Sequence, residues 1–281
     1  MTDDALVGER GNFCYRHPSR QSYILCQRCG RTVCPSCSTQ AAVGVHCPEC
    51  VKEARSRAPR QRPATVRAAR AWRAGSNVPV VTYSIIAICV VVYLAQLIFG
   101  DRLTYQLVFY APLIGVQPWT LLTSLFAHAS PIHILANMFS LFILGPTLEL
   151  ALGRVRYLAL YLLSGFGGSV AVLVLVGANS SVLGASGAIF GLMAALVVMI
   201  RRIGGNTTQL LIVVAINLSI GFFVSTISWE AHVGGLISGA LVALVYTRMQ
   251  GPRNRNRQLA YMAGLTVALL IVSIVTTLLR G

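Results

Sequence analysis

The sequence predicts an all-α polytopic membrane protein with a small cysteine-rich domain at its amino end. Three observations carry that prediction. Of 281 residues, 55% are hydrophobic and only 11% are charged, where an ordinary soluble domain has about 25% charged. From Val80 onward, apolar runs alternate with short polar breaks. Upstream, residues 14–50 hold seven of the eight cysteines.

The charge is lopsided, 23 Lys+Arg against 8 Asp+Glu, or +15. So much apolar bulk disfavours nucleic acid as a partner, and the arginines read instead as topology determinants. The opening MTDDALVGER is polar and acidic, without the apolar core of a cleavable signal peptide. Residues 1–54 read as one domain and 55–78 as a basic linker, with Arg55, Arg57, Arg60, Arg62, Arg67, Arg70 and Arg73.

A bilayer core about 30 Å thick needs roughly 20 helical residues, fewer inside a bundle. Seven stretches qualify: 79–99, 132–150, 156–177, 186–201, 208–225, 232–248 and 259–279. The fourth, fifth and sixth are short and rich in small residues, which predicts interior helices. With the linker inside, Arg154, Arg156, Arg201, Arg202, Arg248, Arg253, Arg255 and Arg257 lie inside, while Arg102 and Arg280 lie outside. That asymmetry predicts a multi-pass plasma-membrane protein with a cytoplasmic amino terminus and an outer carboxyl terminus. The loop 100–131, with Leu113, Ile114, Trp119, Leu121 and Leu122, is too apolar for a free linker and should lie partly in the interface.

Polar groups within spans are costly and point to function. Ser186, in Gly184-Ala185-Ser186-Gly187, opens span four. His232, in Ala231-His232-Val233-Gly234-Gly235, opens span six. His133 and Asn137 share one face at the start of span two, just after His128. Spans two, four and six run the same way, so these residues share the outer level. Gly187-x-x-x-Gly191 and Gly235-x-x-x-Gly239 would let spans four and six pack backbone to backbone. A serine beside an imidazole base is an activated nucleophile. His133, Asn137 and the Ser186 N–H could then donate to a developing oxyanion.

These three motifs, in this order on these spans, resemble the rhomboid intramembrane serine proteases over roughly residues 80–248. The resemblance implies a six-helix core (79–250 here) with a Ser186–His232 dyad and His133 and Asn137 as the oxyanion pair. It implies that Phe190 stacks on the catalytic imidazole and that no cofactor serves catalysis. It extends to Glu149 and Gly153, and it makes residues 251–281 an added seventh span. Substrates would be membrane proteins with a transmembrane helix, cut near the outer face. Where the family often has Trp-Arg, this chain has Trp119-Thr120. Glu230, two residues before His232, reads as loop surface. A second reading is a catalytically silent rhomboid-like protein that recruits clients through the head. Near-absence of charge within the spans disfavours a transporter.

In the head, Cys14-x-x-His17, Cys26-x-x-Cys29, Cys34-x-x-Cys37 and Cys47-x-x-Cys50 make four ligand pairs. Two pairs complete a tetrahedral zinc site, so the head should hold two structural zinc ions. A cytoplasmic, reducing location argues against disulfides. The pattern resembles a B-box-type or cross-braced finger. A cross-brace would put Cys14, His17, Cys34 and Cys37 on one ion and Cys26, Cys29, Cys47 and Cys50 on the other, with His46 a spectator. So short a segment cannot fold on its own core and needs the metal. The head's partner is not legible. Cys89 reads as a buried apolar residue.

Overall fold

The computed structural model describes residues 12–41, 43–57, 78–177, 180–224 and 227–280. The chain divides into two compact units, Met1–Ser76 and Asn77–Gly281. Most of the expected basic linker, 58–77, lies outside the described residues.

In the first unit, β1 (Phe13–Cys14) pairs antiparallel with β2 (His17–Gln21), and β3 (Thr39–Gln40) with β4 (Val45–His46). A 3-10 turn spans Pro35–Cys37, and α1 covers Pro48–Arg57. That helix runs past residue 54. Of the buried apolar side chains among the described residues here, only Val33 is not a cysteine. A core of sulfur rather than hydrocarbon makes folding depend on what the sulfurs bind.

The second unit is a helix bundle. Among the described residues, five helices are long and apolar enough to cross a membrane: α2 (Val80–Phe99), α5 (Pro131–Leu152), α6 (Arg154–Leu175), α9 (Trp229–Arg248) and α10 (Arg255–Arg280). Short helices α3 (Asp101–Leu107) and α4 (Thr120–Thr123) fall between α2 and α5. The fourth and fifth apolar stretches form α7 (Ser186–Arg202) and α8 (Thr208–Phe223), of 17 and 16 residues. At 1.5 Å per residue each is about 25 Å long.

Helices α6, α7 and α9 form the inner layer, and there two expectations need correction. The fifth stretch is not interior. In α8 only Val214 and Gly221 are buried, and apolar side chains such as Ile212, Ile216 and Phe222 face outward. Nor is the sixth short, because Ser228 caps α9 by accepting the Ala231 N–H, which starts the helix at Trp229. Of the five long helices α6 is the most enclosed, burying Ser164 through Val170 without a break. Its hydropathy resembles that of any span, so only its Gly165, Gly167 and Gly168 hint at the centre.

Close backbone approach holds this layer. A Cβ on Gly235 would strike the Gly187 carbonyl oxygen, and one on Gly239 would strike the Gly191 backbone. A Cβ on Gly234 would meet the carbonyl of Gly167. Such stripes replace the hydrophobic drive that is lost in lipid.

At the opposite face α2 packs on α5. Pro79 precedes α2 without a side-chain cap. Glu149 of α5 supplies one: its Oε1 accepts the Val81 N–H at 2.9 Å, and its Oε2 accepts the Thr82 N–H and hydroxyl, each at 2.7 Å. A buried carboxylate is tolerated there because the helix N-terminus offers free N–H groups and positive dipole charge.

The loop between α2 and α5 is folded. Strand β5 (Phe109–Tyr110) pairs with β6 (Ser181–Val182), just before α7. Phe109, Ala111, Ile114 and Leu121 pack on Phe166, Val170 and Leu173 of α6, while Trp119, Leu113 and Leu122 stay exposed. Thr120 is buried with its hydroxyl donated to the Gln117 carbonyl at 2.6 Å.

Candidate functional site

Ser186 is the first residue of α7, at the end of a turn made by Gly184 (φ +121°), a conformation side-chain-bearing residues avoid. A second constraint acts on Gly184: a Cβ there would lie 2.6 Å from His133 Nε2. Glycine thus lets the turn close over the His133 ring. Ser186 is half-buried and lines a small cavity with Ser124, Leu125, Gly168, Ser169 and Gly184.

His232 sits in the first turn of α9 and is 5% exposed. Its ring stacks on Phe190, one turn into α7, with centroids 4.1 Å apart and planes 14° from parallel. The glycine contacts that draw α7 against α9 bring these rings together. Gly187, beside Ser186, is close enough to α9 that a Cβ on it would stand 3.2 Å from the carbonyl of Ala231. The buried Nδ1 of His232 has no hydrogen-bond partner among the described residues. Glu230 does not supply one, since its Oε2 accepts the Ser228 hydroxyl at 2.8 Å.

On α5, the His133 N–H donates to the Ser130 cap at 3.3 Å. Asn137 is 5% exposed and spends one amide hydrogen on the His133 carbonyl at 2.9 Å, which leaves the other free. Sequence reasoning underrated two groups nearby. His128 is 2% exposed, stands edge-on to His133 at 5.1 Å, and leaves both ring nitrogens without partners among the described residues. Burial, reinforced by His133, pushes its imidazole down to about 4. Gln96 of α2 holds this loop, accepting the His128 N–H at 3.0 Å and donating to Thr104 at 3.2 Å. The single signal for Gln96 was an amide inside an apolar run.

The head brings its eight ligand candidates into two sets. Cys14, His17, Cys34 and Cys37 form one, and Cys26, Cys29, Cys47 and Cys50 the other, with ligand atoms of each set within 4.8 Å of one another. His17 Nδ1 lies 3.3, 3.5 and 3.8 Å from the sulfurs of Cys37, Cys34 and Cys14. Cys29 and Cys47 sulfurs are 3.6 Å apart. A tetrahedral ion with bonds of about 2.0–2.3 Å separates its ligands by about 3.5–3.8 Å, so both sets fit one. Desolvation opposes ionisation of Cys14 and Cys26, yet backbone N–H donors bring both thiols below their ordinary range, which favours the thiolate a metal needs. Only Cys29 is exposed. His46 belongs to neither set.

A polytopic bundle with a serine and a stacked histidine at one end defines the class. Residues 115–249 match the Rhomboid domain. The chain is 39% identical over 140 residues to RHOMBOID-like protein 1 of Arabidopsis thaliana, covering 46% of this chain and 35% of that one. It is 37% identical over 144 residues to RHOMBOID-like protein 6, mitochondrial, of the same plant, covering 47% and 44%. Rhomboid protease GluP of Bacillus subtilis (strain 168) is 38% identical over 133 residues, covering 44% and 25%. The second unit therefore carries a rhomboid domain. The chain matches less than half the length of each of these relatives.

Proposed function

We propose that the chain is an intramembrane serine endopeptidase that cuts transmembrane segments of other membrane proteins near the outer face. The observation that carries this reading is the His232–Phe190 stack beside the Ser186 turn, built by helices packed too closely for any side chain but hydrogen. His232 takes the Ser186 proton as Oγ attacks the scissile carbonyl. The resulting oxyanion sits by the Ser186 N–H, His133 and Asn137, donors already fixed before charge develops. The imidazolium then returns its proton to the leaving amine, and water, activated by the same histidine, hydrolyses the acyl-enzyme. Phe190 holds the ring in plane, a task a carboxylate on Nδ1 performs in three-residue triads.

Cys14, His17, Cys34 and Cys37 would hold one zinc ion and Cys26, Cys29, Cys47 and Cys50 a second, both structural. Zinc suits tetrahedral sulfur-rich ligation and has no redox chemistry of its own. The head would stand in the cytoplasm of a plasma-membrane protein and bind a partner or the membrane surface.

A fluorophosphonate probe tests the catalytic reading. The purified wild type should label covalently, and Ser186→Ala and His232→Ala should not, each with an unchanged thermal transition. Absence of wild-type labelling, with cleavage absent too, would favour the silent recruiting protein.

A further inference from the structure

The end of the bundle opposite Ser186 concentrates positive charge at one helix junction. Arg154 and Arg156 open α6, Arg248 closes α9, Arg253 precedes α10, and Arg255 and Arg257 lie in its first turn, all of them exposed. The Arg156 guanidinium lies 5.8 Å over the Tyr246 ring, which fixes the first turn of α6 against the last of α9. Gln258, buried in the first turn of α10, donates to the Met249 carbonyl just past Arg248. Three helix ends therefore meet, and two of them are N-termini, whose dipoles add positive charge. The N-terminus of α6 follows Gly153 and has no side-chain cap.

Among the described residues of the second unit, no carboxylate answers this charge. The acidic side chains from residue 77 onward are Asp101, Glu149 and Glu230. Asp101 and Glu230 stand at the Ser186 end, and both oxygens of Glu149 are engaged by α2. None of the six arginines makes an ion pair among the described residues. Meanwhile α10 is held loosely. Only 6% of its apolar window is buried, and it touches the bundle through Gln258, Met262, Leu265, Leu269 and Ser273.

We infer that this junction binds the headgroup of an anionic phospholipid, whose phosphate bridges α6, α9 and α10 and fastens the seventh helix to the bundle. Guanidinium forks match phosphate oxygens, and basic pockets between helix ends suit acidic headgroups. The acyl chains would lie along the open flanks of α10. Topology alone accounts for arginines at this end, but not for their convergence on a helix with so little packing of its own. Arg201 and Arg202, at the end of α7, carry equal charge away from α10 and serve as the control.

The test uses the full chain in neutral detergent, with native mass spectrometry and thermal unfolding. Phosphatidylglycerol should be retained over phosphatidylcholine and should raise the transition temperature. Arg156→Gln/Arg248→Gln should weaken that retention by about tenfold and abolish the thermal shift, while Arg201→Gln/Arg202→Gln should change neither. Equal losses in both pairs would reduce the effect to diffuse charge. Equal retention of phosphatidylcholine, or the same shift from inorganic phosphate alone, would also overturn the inference.

Discussion

Asn137 has one amide hydrogen bound to its own helix and one to spare, so its effect on an oxyanion is separable from its effect on folding. Asn137→Ala should lower turnover by roughly 10²–10³ with little change in KM, as for a single deleted oxyanion donor. Kinetics on a transmembrane substrate check this; a change confined to KM would reassign the residue to binding. His128 offers a pH test. Its imidazole is buried neutral with its pKa depressed to about 4, so its contribution is complete above the ordinary histidine value of about 6.5. That contribution fades as pH falls toward 4, because the unfolded chain binds the proton first. Thermal unfolding should therefore weaken across that window, and His128→Gln should flatten the slope. Among single residues, Ser186, His232, His133 and Asn137 were legible because polar groups in apolar runs are rare. Gln96 has that same property, but its role lies in holding the His128 loop, a contact across 32 positions that no local pattern encodes.

At the scale of elements, spacing was legible where it produced a periodic stripe. Gly187 with Gly191 and Gly235 with Gly239 foretold the α7–α9 contact, since four-residue spacing keeps small residues on one face. The burial of α6 was not legible. Its glycines interrupt a run whose hydropathy suits lipid and protein equally, and lipid is as apolar as a protein core. The same ambiguity misplaced α8, whose length resembles that of α7 while its surface faces outward. Gly235→Ala should thus be damaging by at least the 1–3 kcal/mol of ordinary overpacking, because the obstructing atoms are backbone and cannot rotate away. Gly264→Ala in α10 should be neutral or slightly stabilising, since nothing lies within 4 Å of the added methyl and alanine favours helix. Paired thermal unfolding of the two variants checks the contrast. Glu149→Ala belongs here too, since it uncaps α2 and leaves buried N–H groups unmet, a loss of about 2–4 kcal/mol.

At the scale of the whole molecule, the two units draw stability from different sources. Residues 77–281 fold on interleaved helices, whereas the head has sulfur where a core should be. The head's ligand pairing was legible only through its resemblance to cross-braced fingers, because four tight pairs permit more than one arrangement. Folding selects the alternate one, since β1 and the Cys34–Cys37 turn converge on His17 while α1 carries Cys50 to Cys26 and Cys29. A chelator should therefore unfold the head while the bundle keeps its helicity, as metal binding and folding are one equilibrium in so small a unit. Deletion of residues 1–57, a cut placed after α1 so that no helix is severed, should release two zinc equivalents per chain by elemental analysis. It should leave fluorophosphonate labelling of Ser186 at the wild-type rate in detergent. The reason is chemical: every group assigned to the reaction, from His133 to His232, belongs to the second unit, and each is fixed by contacts within it. A truncated chain with a wild-type thermal transition but no labelling would overturn this independence. It would make the metal state of the head a determinant of the geometry at Ser186.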